Sequence, residues 1–139
     1  MNFQKTTIRE VMNPEPTTIH AGAPLSEAAT CMFEQDRSCL VVCLDDPAQG
    51  WGILTQKDLL GVMADVGAHL EGLRVAEVMT HPSVTLPPHY DVGTSIQLMR
   101  MLGVRRAAVV EGDELIGFVS FTDLFEYAME TRDQAVTRD

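Results

Sequence analysis

The chain has 139 residues, of which 45% are hydrophobic and 22% are charged, a composition typical of a globular domain. Its 10 basic and 20 acidic side chains give a net charge of −10, which argues against a nucleic-acid partner, because a duplex-binding surface needs clustered Lys and Arg. A membrane span is excluded as well, since charged or turn residues interrupt every apolar run before the ~20 residues that it requires.

Hydrophobic patterning predicts five elements in the first half of the chain. A strand, a helix, a buried strand and a connecting loop are expected in turn, at residues 17–19, 25–35, 39–44 and 45–50. Pro24 sets the start of the helix because its fixed φ suits the first turn. A further short strand then leads to a closing helix that follows Thr55.

The second half repeats this order with a shorter connection. A strand, a helix, a strand, a tight hairpin turn and another strand are expected at residues 84–86, 92–102, 107–110, 111–113 and 114–119. Asp91 is placed to cap the helix, and a closing helix follows Ser120.

Self-similarity along the chain indicates an internal repeat. An offset of 67 aligns residues 8–12 with residues 75–79, and an offset of 65 aligns residues 52–59 with residues 117–124. The fold class is therefore α/β, with two tandem β-α-β-β-α repeats that together form one compact module. The two repeats and a frayed polar tail are placed at residues 6–66, 73–130 and 131–139, respectively.

The first helix of each repeat is apolar on more than one side. Its apolar residues are Ala28, Ala29, Cys31, Met32 and Phe33 in the first copy, and Ile96, Leu98, Met99, Met101 and Leu102 in the second. Such a helix usually packs against two partners, which we take to be its own sheet and either the sister repeat or a second chain. We therefore expect a homodimer.

The last helix of each repeat begins with a hydroxyl residue that is followed three residues later by Asp. These pairs are Thr55 with Asp58 and Ser120 with Asp123. This spacing is that of a capping box, which satisfies free N–H groups of the helix. The same turn could hold a nucleotide, because a helix N-terminus attracts phosphate and a carboxylate accepts hydrogen bonds from ribose hydroxyls. Because the pair recurs at matched positions of the repeat, a nucleotide site is as well supported as a helix cap, and both interpretations stay open.

These motifs resemble the CBS (cystathionine-β-synthase) domain in the order Val-Met, Thr-Ile, Leu-Val-Val and Gly-Ile-Leu-Thr-x-x-Asp-Leu-Leu. The resemblance extends over residues 6–130 and holds in both copies, as in a CBS pair. It implies two tandem repeats with pseudo-two-fold symmetry, two clefts between them, and assembly in many members into a disc-like dimer. It also implies a regulatory role, since many members bind adenosine nucleotides or S-adenosylmethionine and control an attached or associated protein.

The resemblance further implies which residues contact each part of an adenosine ligand. The ribose hydroxyls would be held by Asp58 and Asp123. The phosphate would lie beside Thr55, Ser120 and Thr122. The base would lie against the backbone of Thr18, Ile19, Thr85 and Leu86. A basic phosphate contact is implied at Arg105 and Arg106, which as residues alone fit a solvated strand edge equally well.

The first copy departs from this pattern at three positions. The position equivalent to Thr122 is Lys57, and the positions equivalent to Arg105 and Arg106 are Ser38 and Cys39. Lys57 could supply charge to a phosphate or could be a solvated helix residue. We therefore expect two unequal sites, with the second copy more complete for a phosphate, and the sequence leaves open which Arg serves which site.

The sequence thus predicts a regulatory module that is not an enzyme, requires no cofactor, and binds AMP, ADP or ATP as an energy or metabolite sensor. Its output would pass through an unknown regulated protein, because these 139 residues hold no effector domain. S-adenosylmethionine and NADH are alternative ligands. The alternative function is a ligand-free module for dimerisation or protein interaction, in which the hydroxyl–Asp pairs are helix caps only.

The remaining reactive side chains predict neither a metal site nor catalysis. Four histidines lack ligand spacing and do not recur at the repeat offset: His20, His69, His81 and His89. Three cysteines match no metal or redox spacing: Cys31, Cys39 and Cys43. Since the N-terminus also lacks the apolar segment of a signal peptide, we expect a reduced, cytoplasmic location.

Overall fold

Two units make up the structure, a computed structural model that describes residues 3, 5–67 and 69–137. One unit is continuous and comprises Pro16–Ser83, whereas the other is split and combines Met1–Glu15 with Val84–Asp139. We call them the continuous unit and the split unit. They differ from the sequence repeats, because the segment that leads into each repeat belongs to the unit built by the other repeat.

The predicted order of strand, helix, strand, strand and helix is confirmed in both repeats. In the described part of the chain, helices α1 to α5 span Ile8–Val11, Leu25–Glu34, Gln56–Val66, Val92–Leu102 and Phe121–Thr137. Strands β1 to β6 span Thr18–His20, Cys39–Cys43, Gly52–Thr55, Thr85–Leu86, Arg106–Glu111 and Glu114–Ser120. Short 3-10 helices lie at Pro47–Gln49 and Val75–Glu77.

Two helical features differ from the sequence prediction. Helix α1 is a single turn, in which the Thr7 N–H donates to Glu10 Oε2 at 2.7 Å, and four residues are too few to show a helical period. Helix α5 continues to Thr137 through a segment where the sequence predicts a frayed tail. No Gly or Pro occurs in residues 131–137 to end the helix. The rest of the predicted tail, residues 138–139, lies outside the described residues.

Each unit contains one three-stranded sheet with the same pairing. In the continuous unit β1 is parallel to β2, with Thr18 opposite Val41, and β3 is antiparallel to β2, with Thr55 opposite Cys39. The start of β1, the start of β2 and the end of β3 therefore lie at the same end of the sheet. The split unit repeats this register over β4, β5 and β6.

The leading segment of each repeat contributes to the core of the unit that contains it. Ile8 and Val75, which are equivalent in the repeat, are both 0% exposed. Ile8 belongs to the core cluster of the split unit and Val75 to that of the continuous unit. Their backbone contacts are also equivalent, since Ile8 N–H donates to Tyr90 O at 2.8 Å and Val75 N–H donates to Ala23 O at 3.0 Å.

The helices are apolar on more than one side, as predicted. Met32 and Met99 point into the cores and are buried. Large apolar side chains on four helices are exposed instead, among them Phe33, Leu60, Met101 and Phe125. Leu60 on α3 and Phe125 on α5 occupy equivalent positions of the two repeats and are both 65% exposed. Among the described residues, no helix combines the length and apolarity needed to cross a membrane.

Candidate functional site

The first hydroxyl–Asp pair forms a capping box at the junction of β3 and α3. Thr55 N–H donates to Asp58 Oδ2 at 2.9 Å, and Asp58 N–H donates to Thr55 Oγ1 at 3.2 Å. The predicted cap is therefore present. It uses only one oxygen of the carboxylate, and the described part of the chain supplies no hydrogen bond to Asp58 Oδ1.

The second pair has the same geometry at the junction of β6 and α5. Ser120 N–H and Ser120 Oγ both donate to Asp123 Oδ2, at 3.0 and 2.9 Å, and Asp123 N–H donates to Ser120 Oγ at 3.2 Å. Asp123 Oδ1 receives no hydrogen bond from the described residues. Each unit thus presents a half-buried carboxylate with one uncommitted oxygen at a helix N-terminus, where the helix dipole attracts negative charge.

A third capping carboxylate is different. Asp91 at the start of α4 uses both oxygens, since Oδ1 accepts from Thr94 N–H at 2.7 Å and Oδ2 accepts from Thr94 Oγ1 at 2.9 Å. Hydrogen bonds from the Thr94 backbone and hydroxyl hold the pKa of Asp91 below its ordinary value. Asp91 is therefore a cap that already uses both of its oxygens, which makes it a matched control for Asp58 and Asp123.

The strand residues predicted to lie beside the base are at the same end of each sheet as the capping boxes. Thr18 and Ile19 are on β1, which pairs with β2 on one side only. Two strand spacings separate β1 from β3, which is about 10 Å, a distance that a nucleoside can bridge. In the split unit, Thr85 and Leu86 take the same places on β4.

The Thr18 side chain is already engaged within the continuous unit. Burial raises the pKa of the Cys43 thiol, and a side-chain hydrogen bond with Thr18 partly offsets this rise. Cys43 is therefore a protonated thiol at neutral pH rather than a nucleophile. A ligand at this strand would meet the backbone of Thr18, as the sequence interpretation requires.

The two units differ in their cationic groups. In the split unit, Arg105 O accepts from Phe121 N–H at 2.9 Å and Arg106 is opposite Ser120 in the sheet, so both arginines lie beside the capping box. Thr122 is exposed on the first turn of α5. In the continuous unit, Ser38 and Cys39 take the positions of the arginines, and Lys57 is exposed on α3. Arg37 is a second cationic residue beside this capping box, because its carbonyl accepts from Gln56 Nε2 at 3.1 Å.

An acidic cleft lies beside Asp123, and sequence reasoning missed it. The cleft has a volume of about 230 Å³ and is lined by Glu10, Val11, Asp123, Glu126, Tyr127 and Glu130. Its carboxylates disfavour an anion, so a phosphate near Asp123 would be directed towards Arg105 and Arg106. The spacing of Asp123, Glu126 and Glu130 along one helix face is visible in the sequence. The position of Glu10 is not, because it depends on the exchanged leading segment.

The histidines make separate local contacts. His20 Nε2 lies 2.8 Å from Asp45 Oδ1, and His81 Nε2 lies 2.6 Å from Gln49 O. His69 is near Glu71, and His89 packs edge-on against Tyr90. Within residues 3, 5–67 and 69–137, no three His, Cys, Asp or Glu side chains are grouped as a metal site would require.

Comparison with known proteins gives one family and several solved relatives. The CBS domain family model matches residues 8–65 and 75–130. An arabinose 5-phosphate isomerase of Yersinia pestis is 30% identical over 79% of this chain and 33% of the isomerase. The chain spans about a third of the length of this and several other curated relatives.

Two groups of solved structures are similar at 28% identity. The CBS domain of a bacterial CNNM/CorC family Mg²⁺ transporter, in complex with ATP, superposes with a TM-score of 0.78 over 90% of this chain and 88% of that one. A hexameric CBS-CP12 protein from bloom-forming cyanobacteria has a TM-score of 0.78 over 86% of this chain and 66% of that one.

Proposed function

The chain belongs to the CBS-domain family, and on that premise we propose that it is a regulatory module that binds an adenosine nucleotide, AMP, ADP or ATP. The ribose would be held by Asp58 in one unit and Asp123 in the other. The observation that carries this proposal is the uncommitted Oδ1 of each carboxylate, beside an edge strand in both units.

The charges beside each carboxylate support a phosphate-bearing ligand. Arg105 and Arg106 flank the capping box of the split unit, and Lys57 follows that of the continuous unit. The first and third N–H groups of α3 and α5 are already hydrogen-bonded, so the N–H groups of Lys57 and Thr122 are the further donors for phosphate oxygens. The similarity to a CBS domain solved with ATP also favours a nucleotide. We expect the two sites to be unequal because Arg105 and Arg106 adjoin one capping box, whereas Lys57 and Arg37 adjoin the other.

The acidic cleft favours one second candidate ligand. S-adenosylmethionine carries a sulfonium cation next to the 5′ carbon, so its charge would face the carboxylates of Glu10, Glu126 and Glu130 while Asp123 holds its ribose. NADH would use the same ribose contact. A module that binds no ligand and serves only dimerisation or protein interaction is the competing function, in which both capping boxes stabilise helices and nothing more.

Thermal unfolding against AMP, ADP, ATP, S-adenosylmethionine and NADH tests the proposal. A compound at about 100 times its Kd stabilises the folded state by about 2.7 kcal/mol. This corresponds to a rise in Tm of several degrees, about 2–8 °C for domains of this size range. Inorganic phosphate and adenine at the same concentrations serve as controls for non-specific effects. A rise with none of the five compounds at millimolar concentration would contradict nucleotide sensing and favour the interaction module.

The exposed apolar helix faces support a homodimer. Leu60 and Phe125 occupy equivalent repeat positions, and Phe33 and Met101 add further apolar area at 87% and 85% exposure. Each unit therefore presents exposed apolar helix residues of the kind that mark interaction surfaces. The similar CBS-CP12 protein is itself hexameric, which supports self-association as a proposal for this chain.

Glu substitutions at the equivalent exposed positions of α3 and α5 are expected to dissociate the dimer. Leu60→Glu with Phe125→Glu places two charges in the interface and should raise the dimer Kd by about tenfold or more, equivalent to at least 1.4 kcal/mol. Sedimentation equilibrium would follow the change from twice the 15.3 kDa chain mass to the chain mass itself. Gln97→Glu, on an exposed polar position of α4, is the control. A double variant that stays dimeric would place the interface elsewhere.

We also propose that the output passes through a partner protein and that the module acts in the cytoplasm. The regulated partner would respond to the ligand-bound arrangement of the module. All three cysteines lie in the described part of the chain, and no disulfide joins them, which fits a reducing compartment.

A further inference from the structure

The segment Glu10–Glu15, which we call the strap, lies across the outer side of β6. Asn13 N–H donates to Phe118 O at 2.8 Å, and Phe118 N–H donates to Asn13 O at 2.9 Å. Met12 lies over Gly117, where a Cβ atom would overlap the Met12 sulfur and come within 3.0 Å of Asn13 O. The missing side chain of Gly117 therefore makes room for the strap.

The same construction recurs in the continuous unit. Met79 lies over Gly52, where a Cβ would be 2.7 Å from the Met79 sulfur. Thr80 and Ile53 exchange backbone hydrogen bonds of 2.9 and 3.0 Å. The methionine, the glycine and the paired backbone bonds all occupy equivalent positions of the two repeats. This contact with the last strand of the sheet, which we call the seat of the strap, is therefore a regular feature of each unit.

The strap is also a wall of the cleft at Asp123. Glu10 and Val11 line that cleft together with Asp123, Glu126 and Glu130. The carboxylates of Glu10, Asp123, Glu126 and Glu130 therefore line the same cleft. Their mutual repulsion opposes the contact of the strap with β6. Beyond Asn13, Pro14 and Glu15 are exposed. The seat thus depends on Met12 and one pair of backbone bonds, the kind of region that opens locally at low cost.

The strap leads directly into the other unit. On its N-terminal side it is anchored by Ile8, which is fully buried in the split unit. On its C-terminal side Glu15 is bonded to Pro16, the first residue of the continuous unit. The strap is therefore the segment that connects the buried anchor of Ile8 to the first residue of the continuous unit.

From these contacts we propose that the strap is the element that reports ligand occupancy at Asp123. This inference rests on the proposed nucleotide function. A ligand whose ribose is held by Asp123 places that ribose beside Glu10 and Val11, which line the same cleft, while its phosphate lies on the side of Arg105 and Arg106. A ribose hydroxyl can donate to the Glu10 carboxylate, so the ligand binds more tightly when the strap is seated. It can shift the strap only by this difference in affinity. Occupancy then fixes the strap on β6.

Amide hydrogen exchange tests the strap directly. Asn13 and Phe118 amides are protected by their reciprocal bonds, so their exchange measures seating. Saturation with the tightest binder among AMP, ADP, ATP, S-adenosylmethionine and NADH is expected to slow both amides about tenfold or more, the effect of at least 1.4 kcal/mol. The slowing should be absent in Asp123→Asn.

Two variants that loosen the seat complete the test. Gly117→Ala displaces Met12 and should speed exchange at Asn13 and weaken ligand affinity severalfold, and Met12→Ala should do the same without adding atoms. Gly61→Ala is the matched control, because a Cβ there meets nothing within 4 Å. Ligand binding that depends on Asp123 but leaves Asn13 and Phe118 exchange unchanged would overturn the strap proposal alone. An absence of binding by all five compounds would overturn both proposals.

Discussion

Replacing Ile8 with alanine is expected to lower the free energy of unfolding of the split unit by about 2–5 kcal/mol, the usual cost of such a truncation in a core. Ile8 is 0% exposed and belongs to the cluster that contains Leu86, Val109 and Val119. The truncation removes apolar contacts and leaves a cavity that this packed core cannot fully collapse. Urea unfolding followed by circular dichroism would give the change.

The location of the damage distinguishes this structure from a simple tandem repeat. Hydrogen exchange should speed up in β5 and β6, which share the core of Ile8, and much less in β2 and β3 of the repeat to which Ile8 belongs in sequence. Gln97→Ala is the control, since a substitution at this exposed position of α4 should change stability by only about 0.5 kcal/mol. Faster exchange in β2 and β3 instead would contradict the exchange of leading segments.

Asp123→Asn and Asp58→Asn are expected to remove most of the ligand affinity of their respective sites. A hydrogen bond to a charged group contributes about 1.5–3 kcal/mol, so losing the ribose contact should weaken binding by about 10- to 100-fold. Asparagine keeps the shape and one acceptor oxygen, which preserves most of the capping box. Isothermal titration calorimetry with the tightest binder would measure the loss.

Asp91→Asn is the matched control for these two variants, because Asp91 caps a helix and commits both oxygens to Thr94. It should leave ligand affinity unchanged. If the capping boxes were structural only, all three variants would behave alike. Each would then lose a modest amount of stability, as for a damaged helix cap, and none would alter ligand binding.

Local signals in the sequence predicted the secondary structure closely. Pro24 and Asp91 mark the starts of α2 and α4, and both helices begin at the next residue. The hydroxyl–Asp pairs predicted the turns into α3 and α5, because a capping box is formed within four residues. The buried strands followed from short continuous apolar runs.

Features that depend on distant parts of the chain could not be predicted in this way. The packing of Ile8 with residues near Val109 joins segments about a hundred positions apart, and nothing in the local pattern of Ile8 specifies it. The acidic cleft shows the same limit for the site. Glu126 and Glu130 were visible on one helix face, but Glu10 reaches them only through the exchanged segment.

The most direct test of nucleotide binding is a crystal structure of the protein grown with the tightest binder from the panel. Ribose hydroxyls are expected within about 3 Å of Oδ1 of Asp58 or Asp123, the distance of a charge-assisted hydrogen bond. The base should lie along β1 or β4 and the phosphate towards Lys57 or the two arginines. A ligand bound at neither carboxylate would contradict the account, and the capping boxes would then serve only the helices.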